Sequence, residues 1–178
     1  MNNTLKAALV GLVLAASMIG AGGAQANTRG GGSVLTPVAM KFFCRQNPGE
    51  CAGGGAAQVT MSDDLVAMLH TINRRVNGSI QYTAERVDKW SLNPRRGDCE
   101  DYALSKRSAL IKQGVPSGSL RIGFTHTRRG VPHAVLIVKT SRGDYVLDNM
   151  NSKIVSLQAS GYNILMMSSS NPMRWTAG

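Results

Sequence analysis

The chain has 178 residues, with 20 Lys and Arg against 10 Asp and Glu, and only three cysteines. That length suits one ordinary domain and leaves no room for a second of similar size. The formal charge of +10 is spread through scattered pairs (Arg74-Arg75, Arg95-Arg96, Arg128-Arg129) without interleaved aromatics, which favours a solvated basic surface over a nucleic-acid interface.

The first 26 residues read as an export signal. Lys6 gives a positive start, Ala7 to Gly20 is almost unbroken apolar sequence, and Ala24-Gln25-Ala26 has the small-x-small form of a cleavage site. The apolar stretch is 14 residues, short of the ~20 that span a bilayer. The expected organisation is a signal peptide over 1–26 and one mature domain over 27–178, placed in the periplasm or secreted. No later segment is long and apolar enough to span, so stable membrane insertion is not expected. Asn27 to Ser33 is Gly-rich and reads as a mobile leader. Thr36 to Gly55 reads as an irregular segment stapled by a Cys44–Cys51 disulfide around Asn47-Pro48-Gly49.

Ser62 is a good N-cap, with Asp63 and Asp64 suiting the dipole of the helix that follows. Leu65, Leu69, Ile72 and Val76 carry its apolar stripe, and Asn77-Gly78 ends it. His70 lies beside that stripe and reads as a boundary or surface residue. A short extended piece at Ile80 to Tyr82 and a loop from Asp88 to Arg96 follow, the loop holding Trp90 and Pro94. A second helix runs from Asp98 to about Gln113, with Cys99, Tyr102, Ala103, Lys106 and Leu110 on one face. Gly114 and Pro116 stop it. The periodicity then changes to two: Leu120 to His126, His133 to Thr140 and Asp144 to Asp148 read as strands, Asn163 to Met167 as a fourth, with a further one around Trp175. Helices followed by antiparallel strands make an α+β domain, a nucleophile helix packed on an antiparallel β-sheet.

The chemistry points to Cys99. It is the thiol left over once Cys44 and Cys51 are paired, and it opens a helix, where unpaired N–H groups and the dipole favour a thiolate and can bind an oxyanion. His133 begins one strand and Asp148 ends the next. The tight Ser141-Arg142-Gly143 turn makes those strands antiparallel, so their distant ends return to each other and a carboxylate can orient an imidazole. His126 is the rival base, but it has no acidic partner at a comparable hairpin position. Asp98, Glu100 and Asp101 are the anomaly, since uncompensated acids beside a thiol disfavour its ionisation.

The run Trp90, Pro94, Gly97-Asp98-Cys99-Glu100-Asp101-Tyr102, Lys106, Leu110 closely resembles the bacterial transglutaminase-like cysteine peptidases, whose members include periplasmic adhesin-releasing proteases. Asn77, Asp88 and the segment from Phe43 to Cys51 fit the same family. The resemblance implies a papain-like, transglutaminase-like fold with Cys99 as nucleophile, His133 as general base and acid, and Asp148 as its orienter. It further implies Ca2+ held by Asp98, Glu100 and Asp101, which resolves the anomaly: hard carboxylates suit Ca2+, and the ion offsets their effect on the sulfur. Trp90 would offer its indole N–H to the oxyanion. The implied partner is a protein substrate at the cell surface, in biofilm release. Two alternatives share the fold: an acyltransferase, told apart by amine incorporation without chain cleavage, and a non-catalytic binding module, in which Cys99 would be no more reactive than a free thiol.

Overall fold

The computed structural model describes residues 31–178; the expected signal peptide lies outside them. In chain order the elements are β1 (Ser33–Val34), α1 (Val38–Gln46), α2 (Pro48–Cys51), α3 (Asp63–Ser79), β2 (Gln81–Tyr82), β3 (Arg96–Gly97), α4 (Cys99–Lys112), β4 (Leu120–His126), β5 (Pro132–Thr140), β6 (Gly143–Leu147), β7 (Val155–Ser156), α5 (Leu157–Ser160), β8 (Met166–Ser168) and β9 (Trp175–Ala177). Seven strands form one sheet in the order β1-β9-β8-β4-β5-β6-β7, every neighbouring pair antiparallel. β2 and β3 form a small parallel pair beside α4.

The expected hairpins are present. β4 and β5 pair from Leu120–Val138 to His126–Pro132, and β5 and β6 from Leu136–Leu147 to Thr140–Gly143. β5 is the centre of the molecule, buried from His133 to Val138. It sits between β4 and β6 and beneath α4, which explains its continuous apolar run Ala134-Val135-Leu136-Ile137-Val138. Each of the Val, Leu and Ile side chains contributes about 1.5–3 kcal/mol by leaving water.

α3 begins where the cap places it, with Ser62 Oγ accepting from Leu65 N–H at 3.2 Å. α4 departs from the single buried face read in sequence: Asp101 to Ser108 are all buried. One side lies on β4 and β5 and another on α3, and Glu50 of α2 holds the rest. Arg107 donates to the Glu50 backbone carbonyl, and Ser108 Oγ donates to Glu50 Oε1 at 2.6 Å. Cys44 and Cys51 are joined, with Cα atoms 5.5 Å apart. The segment they staple is helical rather than irregular, because Ala39, Met40, Phe43 and Cys44 form a buried helical stripe. Ser33, expected in a mobile leader, pairs with Thr176. The expected fourth strand starts at Met166 rather than Asn163, and β7 and α5 were not foreseen. No helix among the described residues is long and apolar enough to cross a membrane.

Candidate active site

Asp98 is the N-cap of α4 and Cys99 its first residue. A buried carboxylate fixes this entry: Asp101 Oδ1 accepts from Ser91 N–H at 2.7 Å, and its Oδ2 from Asp98 N–H at 3.3 Å. Gly97 makes room for it, since a Cβ there would lie 2.1 Å from Asp101 Oδ2. The sulfur is half-buried and shares a cleft of about 410 Å3 with Tyr82, Arg129, His133, Asn149 and Met150.

His133 Nε2 and Asp148 Oδ1 are 2.9 Å apart, and both residues are buried. The hairpin explains the meeting. Leu147 pairs with Leu136, so Asp148 follows β6 toward the start of β5, where His133 stands. Burial pushes the Asp148 carboxyl up, but hydrogen bonds from His133, Tyr162 and Met150 N–H outweigh it and hold it below the ordinary carboxylate range. An ionised Asp148 makes Nε2 the donor, which leaves Nδ1 as the basic nitrogen of the ring.

Two of the residues supporting Asp148 were not assigned that role from sequence. Tyr162 donates its hydroxyl to Asp148 Oδ2 at 2.6 Å, and its ring lies 5.8 Å from that of His133. Asn77 Nδ2 donates to the Asp148 carbonyl at 2.9 Å. Asn77 could be found by its place in the family pattern; Tyr162 carries no local signal. His126 is exposed, pairs with Pro132 and lies off the Cys99 cleft. His70, half-buried on α3, is likewise absent from the residues lining that cleft. Trp90 is buried and gives its indole N–H to Asp88 Oδ1 at 2.6 Å, so that donor is spent and the oxyanion role expected for it is withdrawn.

The acids act on the thiol as anticipated. Burial, then the charge and hydrogen bond of Glu100, push the Cys99 thiol well above its ordinary range, while the Ala134 N–H pulls the other way. The thiol donates to Glu100 Oε2 at 3.1 Å. Burial also pushes the Glu100 carboxyl up to about 7, with Asp98 adding to the effect and the thiol opposing it. Asp101 is pushed up to about 6 by burial, against the Ser91 N–H. No group of three or more His, Cys, Asp or Glu side chains among the described residues is arranged to hold a metal ion. Asp98 and Glu100 nevertheless fit a hard cation: burial and the neighbouring Asp98 carboxylate drive Glu100 toward protonation, an effect that a cation held between the two would oppose. Asp101 has both oxygens engaged by backbone N–H groups.

Lys106, two turns along α4 from Cys99, is fully buried, and its Nζ has no hydrogen-bond partner. It lies 5.8 Å from the centre of the Tyr102 ring. Burial lowers its ammonium to about 7, opposed by Asp148.

The family model described as bacterial transglutaminase-like cysteine proteinase matches residues 30–177. The chain belongs to this family. LapG from Legionella pneumophila is similar in structure at 26% identity with a TM-score of 0.56, over 62% of this chain and 68% of LapG. Its calcium-bound form matches at 26% identity with a TM-score of 0.53, over 57% of this chain and 63% of that one. The EGTA-treated form matches at 26% identity with a TM-score of 0.53, over 58% and 63%. The matches thus span about two thirds of LapG's length. No curated protein matches the chain.

Proposed function

We propose that this member of the transglutaminase-like cysteine proteinase family is an exported endopeptidase that cuts a cell-surface protein by Cys99 catalysis. The observation that carries the reading is the buried 2.9 Å His133–Asp148 pair, whose His133 lines the same cleft as Cys99 at the start of α4. His133 Nδ1 takes the thiol proton, and Cys99 Sγ forms a bond to the substrate carbonyl carbon. The N–H groups at the head of α4, including that of Cys99, face the developing oxyanion. The C–N bond breaks and the amine leaves with the proton from His133. Water, deprotonated by the same ring, then hydrolyses the thioester. Asp148 keeps the ring in the tautomer that this proton traffic needs.

Asp98 and Glu100 would hold Ca2+, with Asp101 shaping the turn that carries them. The ion supplies positive charge that offsets the carboxylates beside the sulfur. LapG's calcium-bound form supports this assignment. The Cys44–Cys51 disulfide and the sequence of residues 1–26 support an oxidising location, the periplasm or outside the cell. The family resemblance favours a surface adhesin as substrate and biofilm release as the setting.

The test compares surface proteins of wild-type and Cys99→Ser cells by mass spectrometry. A protein clipped only in the wild type names the substrate, and EGTA should suppress the same clip in purified protein. Identical surface proteins in both strains, with iodoacetamide labelling Cys99 no faster than a free thiol, would remove the enzyme reading.

A further inference from the structure

A second cleft of about 570 Å3 adjoins the Cys99 cleft, sharing Thr127, Arg129 and Met150 with it. Its charge is one-sided. Arg128 and Arg129 overhang it from the β4–β5 turn and Lys153 approaches from the loop after β6. Among the described residues none of these three cations is in an ion pair within 4.0 Å. The single acid in the lining is Asp148, whose oxygens are already engaged by His133, Met150 N–H and Tyr162. The cations are held on ordered backbone. Thr127 N–H donates to the Val131 carbonyl at 2.8 Å and Gly130 N–H to the Thr127 carbonyl at 2.9 Å; Lys153 N–H donates to Asn151 Oδ1 at 2.9 Å. Gly130, at φ 77°, lets the turn close.

Three unpaired cations converging on a concave surface raise the local concentration of anions and select them over neutral ligands. A chain running out of the Cys99 cleft past Thr127 and Arg129 enters this space directly. We infer that the cleft formed by Arg128, Arg129 and Lys153 is a specificity subsite for acidic polypeptide, so that the substrate carries Asp or Glu side chains close to the bond that is cut. This rests on the endopeptidase reading for its purpose, but the binding it asserts is separable. Arginine forks suit carboxylates in pairs, and the exposed rim lets a flexible segment enter without opening the fold.

The experiment measures fluorescence anisotropy of two fluorescein-labelled peptides, four glutamates in a Gly-Ser background and its glutamine counterpart. The full chain carries Cys99→Ser so that nothing is cut. The glutamate peptide should bind about tenfold more tightly, the scale of a few exposed ion pairs. Arg128→Ser/Arg129→Ser/Lys153→Ser should abolish that preference, and Lys153→Glu alone should weaken it. Arg45→Ser/Arg74→Ser/Arg75→Ser, with the same loss of charge on exposed positions elsewhere, should keep it. Equal binding of both peptides, or equal loss in both triple variants, overturns the subsite. A separate digest of a proteome-derived peptide library by the wild type should show acidic residues enriched around the cuts. A library left wholly uncut counts against the endopeptidase reading and leaves the anisotropy result to decide the subsite alone.

Discussion

Asp148 shows how one carboxylate can be kept ionised in a buried place. Desolvation alone would raise its pKa, and three donors reverse that direction. Because its folded value lies below the unfolded one, its contribution to stability is complete above the unfolded carboxylate range, about 3.9, and is lost as pH falls through the folded value. Tyr162→Phe removes one charge-assisted donor at 2.6 Å. At pH 7 it should cost about 1.5 kcal/mol, and thermal melts should show its gap from the wild type narrowing as pH drops below about 4. A gap independent of pH would mean that the hydroxyl acts only by packing. Glu100 tells the converse story. Glu100→Gln should speed iodoacetamide labelling of Cys99 in EGTA, because the charge that opposes the thiolate is gone; slower or unchanged labelling would assign the raised thiol to burial alone. The meeting of His133 and Asp148 was legible in sequence, because a short turn between two alternating strands dictates which ends meet. Tyr162 was not: it comes to Asp148 through strand pairings and a one-turn helix that no local pattern encodes.

At the scale of elements, α4 carries the functional load. Its start was legible from a capping aspartate and its end from Gly114 and Pro116, but its surroundings were not. A helix buried all round has no polar face to betray its orientation, and residues such as Ser105, Arg107 and Ser108 look solvent-facing until their partners are known. α1 was missed for a related reason: the cysteine pair and nearby glycines obscured a stripe of four buried residues. Lys106 is buried in the core with no hydrogen-bond partner for its Nζ. Lys106→Met keeps the length of the side chain and removes the buried ammonium. It should stabilise the protein at pH 7 by on the order of 1–3 kcal/mol. Since the folded ammonium is lowered to about 7, the wild type gains stability as pH rises from there toward the unfolded value near 10.4. The advantage of the variant should therefore shrink over that interval. Denaturant titrations at pH 7 and 10 check this; an advantage that grows with pH would contradict the lowered ammonium.

For the molecule as a whole, the sheet and its hairpins bring the acid-rich start of α4, the His133–Asp148 pair and the basic β4–β5 turn into one neighbourhood. The sequence order hides this neighbourhood, since the acids at 98–101 and the cations at 128, 129 and 153 are far apart along the chain. If the carboxylates beside the sulfur hold Ca2+ as proposed, the fold as a whole should respond to the ion. An ion bound by the native state alone stabilises it by mass action, about 2.7 kcal/mol at a hundredfold excess over Kd. For a domain of this size that is a melting shift of roughly 5–11 °C. Adding Ca2+ to EGTA-treated protein should produce a shift on that scale. Mg2+ should produce far less, because it demands a stricter octahedral shell and keeps its waters. Asp98→Asn should lose most of the Ca2+ increment while melting close to the wild type in EGTA, because asparagine caps a helix about as well as aspartate. If instead the variant keeps the full increment, the ion is held elsewhere, and the two carboxylates serve only the N-terminus of the helix.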